Sequence, residues 1–169
     1  MNMCSFIILK DIITNNKFFF SPSIKYGEDK EFIIKAIFHS NKIIGINKYL
    51  FYYLKRNDSA DHKKFNIKKF QSAAALKKSF IYLKKHNAPQ EILNIIQAYR
   101  IPITYLYLIS ETAKSYDKLY NKLMANKNII SKLKRFKLIN IFSKDLIYYL
   151  KIQLLIKSPK IYKKIINFI

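Results

Sequence analysis

The chain has few cysteines, few glycines and few acidic residues, and each shortage excludes a class of protein. Cys4 is the only cysteine among 169 residues, which excludes an intrachain disulfide and a cysteine-based zinc site and favours a reducing compartment. Two glycines leave no glycine-rich nucleotide loop. Half of the residues are hydrophobic, so the chain is expected to fold around a core and not to be disordered.

Long hydrophobic runs are also missing. The first apolar run, CSFIIL, lacks a basic flank and is followed at once by Lys10 and Asp11, so no signal peptide is predicted. The run at 146–156 is interrupted by Lys151 and is about half of the ~20 residues that a bilayer crossing needs. The sequence therefore predicts a cytoplasmic protein that is soluble or peripheral on the inner face of the cytoplasmic membrane.

The charge is strongly positive and unevenly distributed. The formal net charge is +22, from 32 basic and 10 acidic residues. Residues 1–62 carry 9 basic and 6 acidic side chains, whereas residues 63–169 carry 23 and 4. We therefore predict two regions, 1–62 and 63–169, of which the second is a basic extension.

The first region has a mixed pattern. FFFSPSIKYG predicts a short strand that leads into a loop at Pro22 and Gly27. Apolar residues then fall at helical spacing, which predicts a helix from about Glu28 to Ser40. KIIGI and YLFYYL, rich in β-branched and aromatic residues, predict two strands.

From Phe65 onward the pattern predicts helices almost to the end. The predicted segments lie near 65–87, 89–109, 111–126, 128–140 and 143–157, and KIYKKIINFI is a last basic helix. Pro89, Ser110, the ANKN stretch and Ser143, a candidate N-cap, divide them. The predicted fold class is α+β, mostly α, with a short β-hairpin and a helical extension.

Three carboxylates stand at the head of the first predicted long helix: Glu28, Asp29 and Glu31. In the simpler interpretation they only favour the positive end of the helix dipole. In the other, one carboxylate held by a loop that ends in glycine accepts a proton from a nucleophile. The three residues alone leave both interpretations open.

The longer sequence around these acids favours the second interpretation. YGEDKEFIIKAIFHSNKIIGINKYLFYYLKRNDSA resembles the second half of the catalytic domain of bacterial family 2 glycosyltransferases, especially those that build lipopolysaccharide, lipooligosaccharide or capsule. In that family a Glu-Asp helix start precedes a Lys-Ile-containing strand and an aromatic strand that ends in an Arg and a Ser. The resemblance covers about residues 4–62 and implies the C-terminal part of a GT-A, Rossmann-like domain.

The resemblance also implies roles for individual residues. Asp29 would be the general base that deprotonates the acceptor hydroxyl, and Glu28 would shape the site. Arg56 and Ser59 would lie near the donor pyrophosphate, where a guanidinium neutralises charge on the leaving group. His62 would act there or reach a metal, although a histidine in a polar loop is more often solvated. Tyr53 would face the acceptor.

One part of the family pattern is missing from this chain. Members begin with a nucleotide-binding half that ends in an Asp-x-Asp motif, which holds a divalent metal, Mg²⁺ or Mn²⁺, and the nucleotide diphosphate. This sequence contains no Asp-x-Asp. The resemblance thus implies a truncated or split product, or one that acts with a separately encoded partner. Transfer by this chain alone is not expected, because nothing in it would hold the nucleotide sugar in line with Asp29.

The basic second region has three interpretations. It is a solvated helical bundle, or it contacts an anionic membrane, because its last segments mix aromatic, aliphatic and lysine residues. The rival function, from a different class, is a non-enzymatic basic helical protein that binds RNA or an anionic membrane surface. Membrane contact and plain packing are favoured over nucleic acid, since the lysines are spread over several segments. His39 and His86 are interpreted as structural or surface residues.

Overall fold

A computed structural model of the chain describes residues 5–48, 52, 65–138 and 144–168. Every regular element within these residues is helical, so the predicted α+β class, with its GT-A part and β-hairpin, is wrong. The chain forms two compact units, Met1–Asn87 and Ala88–Ile169, which we call the N-terminal and C-terminal units. The boundary predicted at 62/63 lies outside the described residues.

The N-terminal unit contains three helices in its described part: α1 (Lys10–Asn15), α2 (Glu28–Phe38) and α3 (Gln71–Lys85), the last preceded by a 3-10 turn at Ile67–Phe70. The helix expected from Glu28 to Ser40 is confirmed. Helix α2 packs on α3. Apolar side chains of these two helices and of the segment before α2 form the core: Phe18, Ile24, Phe32, Ile33, Ala36, Ala73, Ala75, Leu76 and Leu83.

The predicted strands are not found in the described residues. The KIIGI segment has no regular structure, and Ile43, Ile44 and Ile46 are exposed. A strand exists only by pairing with a neighbour, and none of the described residues supplies one. Of the second predicted strand only Tyr52 is described, and it is exposed and irregular.

The predicted strand before Pro22 is likewise replaced by side-chain packing. Phe18 is buried, and its ring lies edge-on to Phe32 with 6.4 Å between centroids. Phe20 stacks on the same Phe32 ring at 4.5 Å. This aromatic segment is held by its rings against α2 and not by backbone pairing.

The C-terminal unit is a bundle built around α5. Its described elements are α4 (Gln90–Ile95), a π-helical turn (Ile96–Arg100), α5 (Ile101–Ser115), α6 (Asp117–Met124), α7 (Lys127–Lys134), α8 (Lys144–Lys157) and α9 (Pro159–Phe168). Helix α5 contacts α6, α7, α8 and α9. The apolar core of the C-terminal unit includes Leu106, Ile109, Leu123, Leu133, Ile152 and Leu155.

Pro102 accounts for an irregularity where α4 runs into α5. Proline has no backbone N–H, so it cannot donate to the carbonyl of Ala98 four residues earlier. The helix widens into a π turn over Ile96–Arg100. The carbonyl of Ala98 accepts instead from the backbone N–H of Lys137, at 2.9 Å, which fastens the segment after α7 to this turn.

The boundaries of the other helices follow the sequence signals only in part. Asn126 caps α7, since its side-chain oxygen accepts from the N–H groups of Asn128 and Ile129, as the ANKN break predicts. The predicted break at Ser110 is wrong: its hydroxyl donates to the carbonyl of Leu106, and the helix continues to Ser115. Ser143, the predicted cap of α8, lies outside the described residues.

Two tyrosines, Tyr120 and Tyr162, tie helices of the bundle together. The Tyr120 hydroxyl donates to the carbonyl of Pro159 at 2.7 Å, and Tyr162 and Ser110 share a hydrogen bond of 2.5 Å. Burial raises the pKa of Tyr120 to about 12 and also raises that of Tyr162. Both therefore remain neutral hydrogen-bonding groups at physiological pH.

Candidate functional site

The head of α2 presents the Glu28 and Asp29 carboxylates. Gly27 precedes the helix in the left-handed region, with φ of 88°, and its carbonyl accepts the first intrahelical bond from the N–H of Glu31. Asp29 is half-buried, and its Oδ1 accepts from the backbone N–H of Lys30 at 2.8 Å. The carboxylate thus lies in the first turn of α2, at the positive end of the helix dipole.

Gly27 also sets how closely the head of α2 approaches α3. A Cβ atom at this position would lie 2.9 Å from the Cα of Ser72 and 3.3 Å from the Cβ of Ala75. Glycine is therefore required twice, by its backbone conformation and by its contact with α3. Together these two constraints place the carboxylates that follow it.

Glu28 has one carboxylate oxygen that lacks a partner. Its Oε2 atom is buried, and no group in the described part of the chain forms a hydrogen bond with it. A buried carboxylate oxygen without a donor is costly, and such atoms are rare outside sites that take up a ligand or an ordered water. The head of α2 therefore offers an unused acceptor next to Asp29.

Glu31, interpreted from the sequence as a dipole partner on the helix, has a structural role that sequence reasoning missed. Its side chain is buried, forms an ion pair with Lys35 at 2.5 Å and accepts from the Ser21 hydroxyl at 3.0 Å. The spacing Glu31–Lys35 is a signal of the ion pair, but the Ser21 contact depends on the fold. Glu31 thus fastens the preceding segment to α2.

Tyr53, Arg56, Ser59 and His62 all lie outside the described residues. The expected divalent metal has no candidate ligand set in the described ranges, where no cluster of three or more His, Cys, Asp or Glu side chains occurs. Of the predicted constellation, the structure thus brings together Glu28 and Asp29.

A second cluster in the N-terminal unit joins both histidines that the sequence assigned to structure or surface. His39 and the Tyr82 hydroxyl share a hydrogen bond of 2.9 Å, and the His86 ring stacks on Tyr82 with centroids 4.0 Å apart. Phe18 packs against His39 at 5.3 Å, and the Lys35 ammonium lies 5.1 Å from the Tyr82 ring centroid. Helices α2 and α3 are thus joined by rings as well as by aliphatic packing.

This cluster predicts that the N-terminal unit loses stability in mild acid. Burial, and secondly the charge of His86, lower the pKa of His39 below its ordinary value of 6.5. The unfolded chain then takes up the proton more readily than the folded chain, so stability falls as the pH drops below about 6.5. We expect faster amide hydrogen exchange in α2 and α3 at pH 5.5 than at pH 7.5, after correction for intrinsic exchange.

The control for this prediction is His39→Gln, which keeps a hydrogen-bonding group near Tyr82 but cannot titrate. Its α2 and α3 amides should show a weaker dependence on pH than those of the wild type. An NMR titration of the His39 ring should also give a midpoint below 6.5. An unchanged pH dependence in His39→Gln, or a midpoint at or above the ordinary value, would contradict the assignment.

The C-terminal unit carries an open groove of a different character. It has a volume of about 320 Å³ and lies beside α6 and α7, lined by Met124, Ala125, Lys127, Ile130, Ser131 and Lys134. Its lining has two lysines and no acidic side chain. Its lining therefore offers no carboxylate that could act as a general base.

Comparison with known proteins adds no further evidence about the chain. No protein-family model, no curated protein and no solved structure matches it. The resemblance to family 2 glycosyltransferases therefore stays a prediction from residues 4–62.

Proposed function

We propose that the chain is the acceptor-side part of a family 2 glycosyltransferase that transfers a sugar from a nucleotide-sugar donor to a cell-surface glycan or its lipid-linked precursor. The observation that carries this proposal is the head of α2. There Gly27 in its left-handed conformation is followed directly by two carboxylates, one with a buried and unpartnered oxygen. The Glu-Asp helix start expected from the resemblance occurs at this helix terminus.

Asp29 acts as the general base in this proposal. Its Oδ1 is engaged by the N–H of Lys30, and the described residues give its other oxygen no partner, which leaves that oxygen to an acceptor hydroxyl. The hydroxyl oxygen attacks the anomeric carbon of the donor, and the bond to the nucleoside diphosphate breaks with its electron pair. The hydroxyl proton passes to Asp29, which raises the nucleophilicity of an otherwise weak attacking group.

Glu28 orients the acceptor. An acceptor sugar presents several hydroxyl groups, and in this proposal the Glu28 side chain turns so that its Oε2 atom, buried and unpartnered without a ligand, accepts a hydrogen bond from one of them. Such a bond would fix the sugar so that a neighbouring hydroxyl faces Asp29. Tyr53 would contact the same sugar, and Arg56, Ser59 and His62 would face the donor pyrophosphate.

The donor half comes from elsewhere in this proposal. An inverting transfer needs the donor held in line with the attacking hydroxyl. The sequence holds neither Asp-x-Asp nor a glycine-rich loop to do so. A separate polypeptide with a nucleotide-binding βαβ pattern and an Asp-x-Asp motif would supply the donor and its divalent metal. A reading frame just upstream that encodes such a pattern would identify this partner.

A reconstitution assay tests the proposal. The purified chain is mixed with the upstream-encoded polypeptide, Mn²⁺ or Mg²⁺, a panel of nucleotide sugars and extracted surface glycan, and release of nucleoside diphosphate is measured. Turnover that requires both polypeptides and the acceptor is the expected result. The proposal would be overturned if the upstream polypeptide transferred sugar equally well without this chain, or if no donor were turned over by the mixture.

A further inference from the structure

The solvent side of α9 carries an apolar stripe. Ile161, Ile165 and Phe168 are spaced at i, i+4 and i+7, which places them on one face, and they are exposed by 53, 43 and 95%. The neighbouring face, with Tyr162 and Ile166, is buried in the bundle. Helix α9 therefore has two adjacent apolar faces, of which only one has a partner within the described residues.

Helix α8, which is packed against α9, also has exposed apolar residues. It buries Ile152 and Leu155. Leu146, Ile147 and Leu150 near its start are exposed. We call the exposed residues of these two helices the α8–α9 face.

The same face is basic. Its exposed lysines lie beside the apolar residues: Lys144, Lys151, Lys157, Lys160 and Lys164. The only acidic residue of the two helices, Asp145, is buried and accepts from the Tyr99 hydroxyl at 2.6 Å. Within the described parts of α8 and α9, the solvent-facing side chains thus carry positive charge and no negative charge.

Apolar residues interleaved with lysines suit one occupant in particular. Exposed aliphatic groups enter the boundary between lipid headgroups and acyl chains, while neighbouring lysines remain at the level of the phosphates. A second copy of this face would set lysines against lysines, which opposes dimerisation. RNA would favour exposed aromatic rings for base stacking, whereas most of the apolar residues here are aliphatic.

We infer that the α8–α9 face docks the C-terminal unit on an anionic lipid bilayer. The two helices contain 14 and 10 residues, which is too short to cross a bilayer that needs about 20, so they lie in its surface. The inference rests on exposure and charge in the C-terminal unit, and on nothing at the head of α2. For the proposed transferase, such docking would hold the enzyme beside a lipid-linked acceptor.

A different helical stretch in the described residues is long and apolar enough, by length and composition, to span a membrane. It is Gln90–Ser115, which comprises α4, the π turn and α5. The core helix of a soluble protein passes the same criteria, and α5 is packed by four other helices of its unit. The surface proposed to contact lipid is therefore the α8–α9 face and not this segment.

Vesicle sedimentation of the full chain tests the inference. The wild type should bind vesicles of mixed phosphatidylcholine and phosphatidylglycerol, and it should bind pure phosphatidylcholine much more weakly. The double variant Ile161→Ser/Ile165→Ser should bind the anionic vesicles about tenfold or more weakly, because two exposed apolar side chains no longer leave water on docking. The double variant Lys160→Gln/Lys164→Gln should bind them at least about tenfold more weakly as well.

Matched controls come from α3 in the N-terminal unit. Ile81 is 55% exposed, a fraction similar to the 53% of Ile161. The variant Ile81→Ser therefore removes a comparably exposed apolar side chain that does not belong to the proposed face. Lys77→Gln/Lys84→Gln removes the same charge as the lysine variant from exposed positions. These controls should bind vesicles as the wild type does, and circular dichroism should show unchanged helix content in all variants.

Three results would overturn the inference. One is that the wild type does not bind anionic vesicles. Another is that the isoleucine pair binds as tightly as the wild type, or that the α3 controls lose as much affinity as the α9 variants. The third is that single-stranded RNA binds the chain more tightly than the vesicles do and displaces it from them. If the lysine variant, but not the isoleucine variant, then bound RNA less well, the face would be assigned to nucleic acid. Because no sugar donor is present, failure here leaves the transferase proposal standing.

Discussion

Asp29→Asn is expected to lower the rate of sugar transfer in the reconstituted system by about 10²–10⁴-fold. The amide is nearly isosteric with the carboxylate, and its side-chain oxygen can still accept from the N–H of Lys30, so the head of α2 should stay in place. It cannot accept the proton of an attacking hydroxyl. The measurement is nucleoside diphosphate release at saturating donor and acceptor, with circular dichroism to check the fold.

The neighbouring acids provide the comparison for this variant. Glu28→Gln should raise KM for the acceptor more than it lowers kcat, because Glu28 is proposed to orient the sugar and not to take its proton. Glu31→Gln weakens the buried ion pair with Lys35 and should change stability more than turnover. Wild-type turnover by Asp29→Asn would contradict the assignment, and so would equal losses of kcat in all three variants.

The helices could be predicted because their signals are local. The apolar spacing after Glu28 and the acids of its first turn belong to α2 itself. The cap at Asn126 and the start after Pro89 are equally local, since each depends on a residue at the helix end. The break predicted at Ser110 was wrong because a serine inside a helix can donate its hydroxyl to the carbonyl four residues earlier. The sequence does not show whether a serine forms this bond within a helix or ends the helix.

The strands could not be predicted reliably because a strand depends on a partner. KIIGI has the composition of a strand, yet its isoleucines are exposed and the described residues give it no neighbour to pair with. The family resemblance supplied the expectation of a sheet, but the described residues contain helices and no strand. A segment rich in β-branched residues can therefore pair as a strand, but its composition does not show that a partner strand is present.

The candidate site was predictable in its types of residue and less so in their roles. Adjacent acids at a helix start are visible in the sequence, but only the fold separates a buried Glu31, paired with Lys35 and Ser21, from a half-buried Asp29. The ring cluster of His39, Tyr82 and His86 joins residues more than forty positions apart. No local sequence pattern predicts such a contact, because it arises from the packing of α2 on α3.

Gly27→Ala is expected to destabilise the N-terminal unit by about 2–4 kcal/mol, as the sum of an unfavourable backbone conformation and an overpacked contact. Its φ of 88° is strained for any residue with a Cβ atom, and that atom would lie 2.9 Å from the Cα of Ser72. Because the close neighbour is backbone, a rotamer change cannot relieve the clash. Amide hydrogen exchange in α2 and α3 of the full chain measures the loss.

The only other glycine of the chain is a matched control. A Cβ atom added at Gly45 would meet nothing within 4 Å, so Gly45→Ala should change stability by no more than about 0.5 kcal/mol. If Gly27→Ala were as stable as Gly45→Ala, α2 would not be held against α3 at Ser72. Since that contact places Glu28 and Asp29, Gly27→Ala should also impair transfer through misplaced carboxylates, whereas Gly45→Ala should leave the geometry at the head of α2 unchanged.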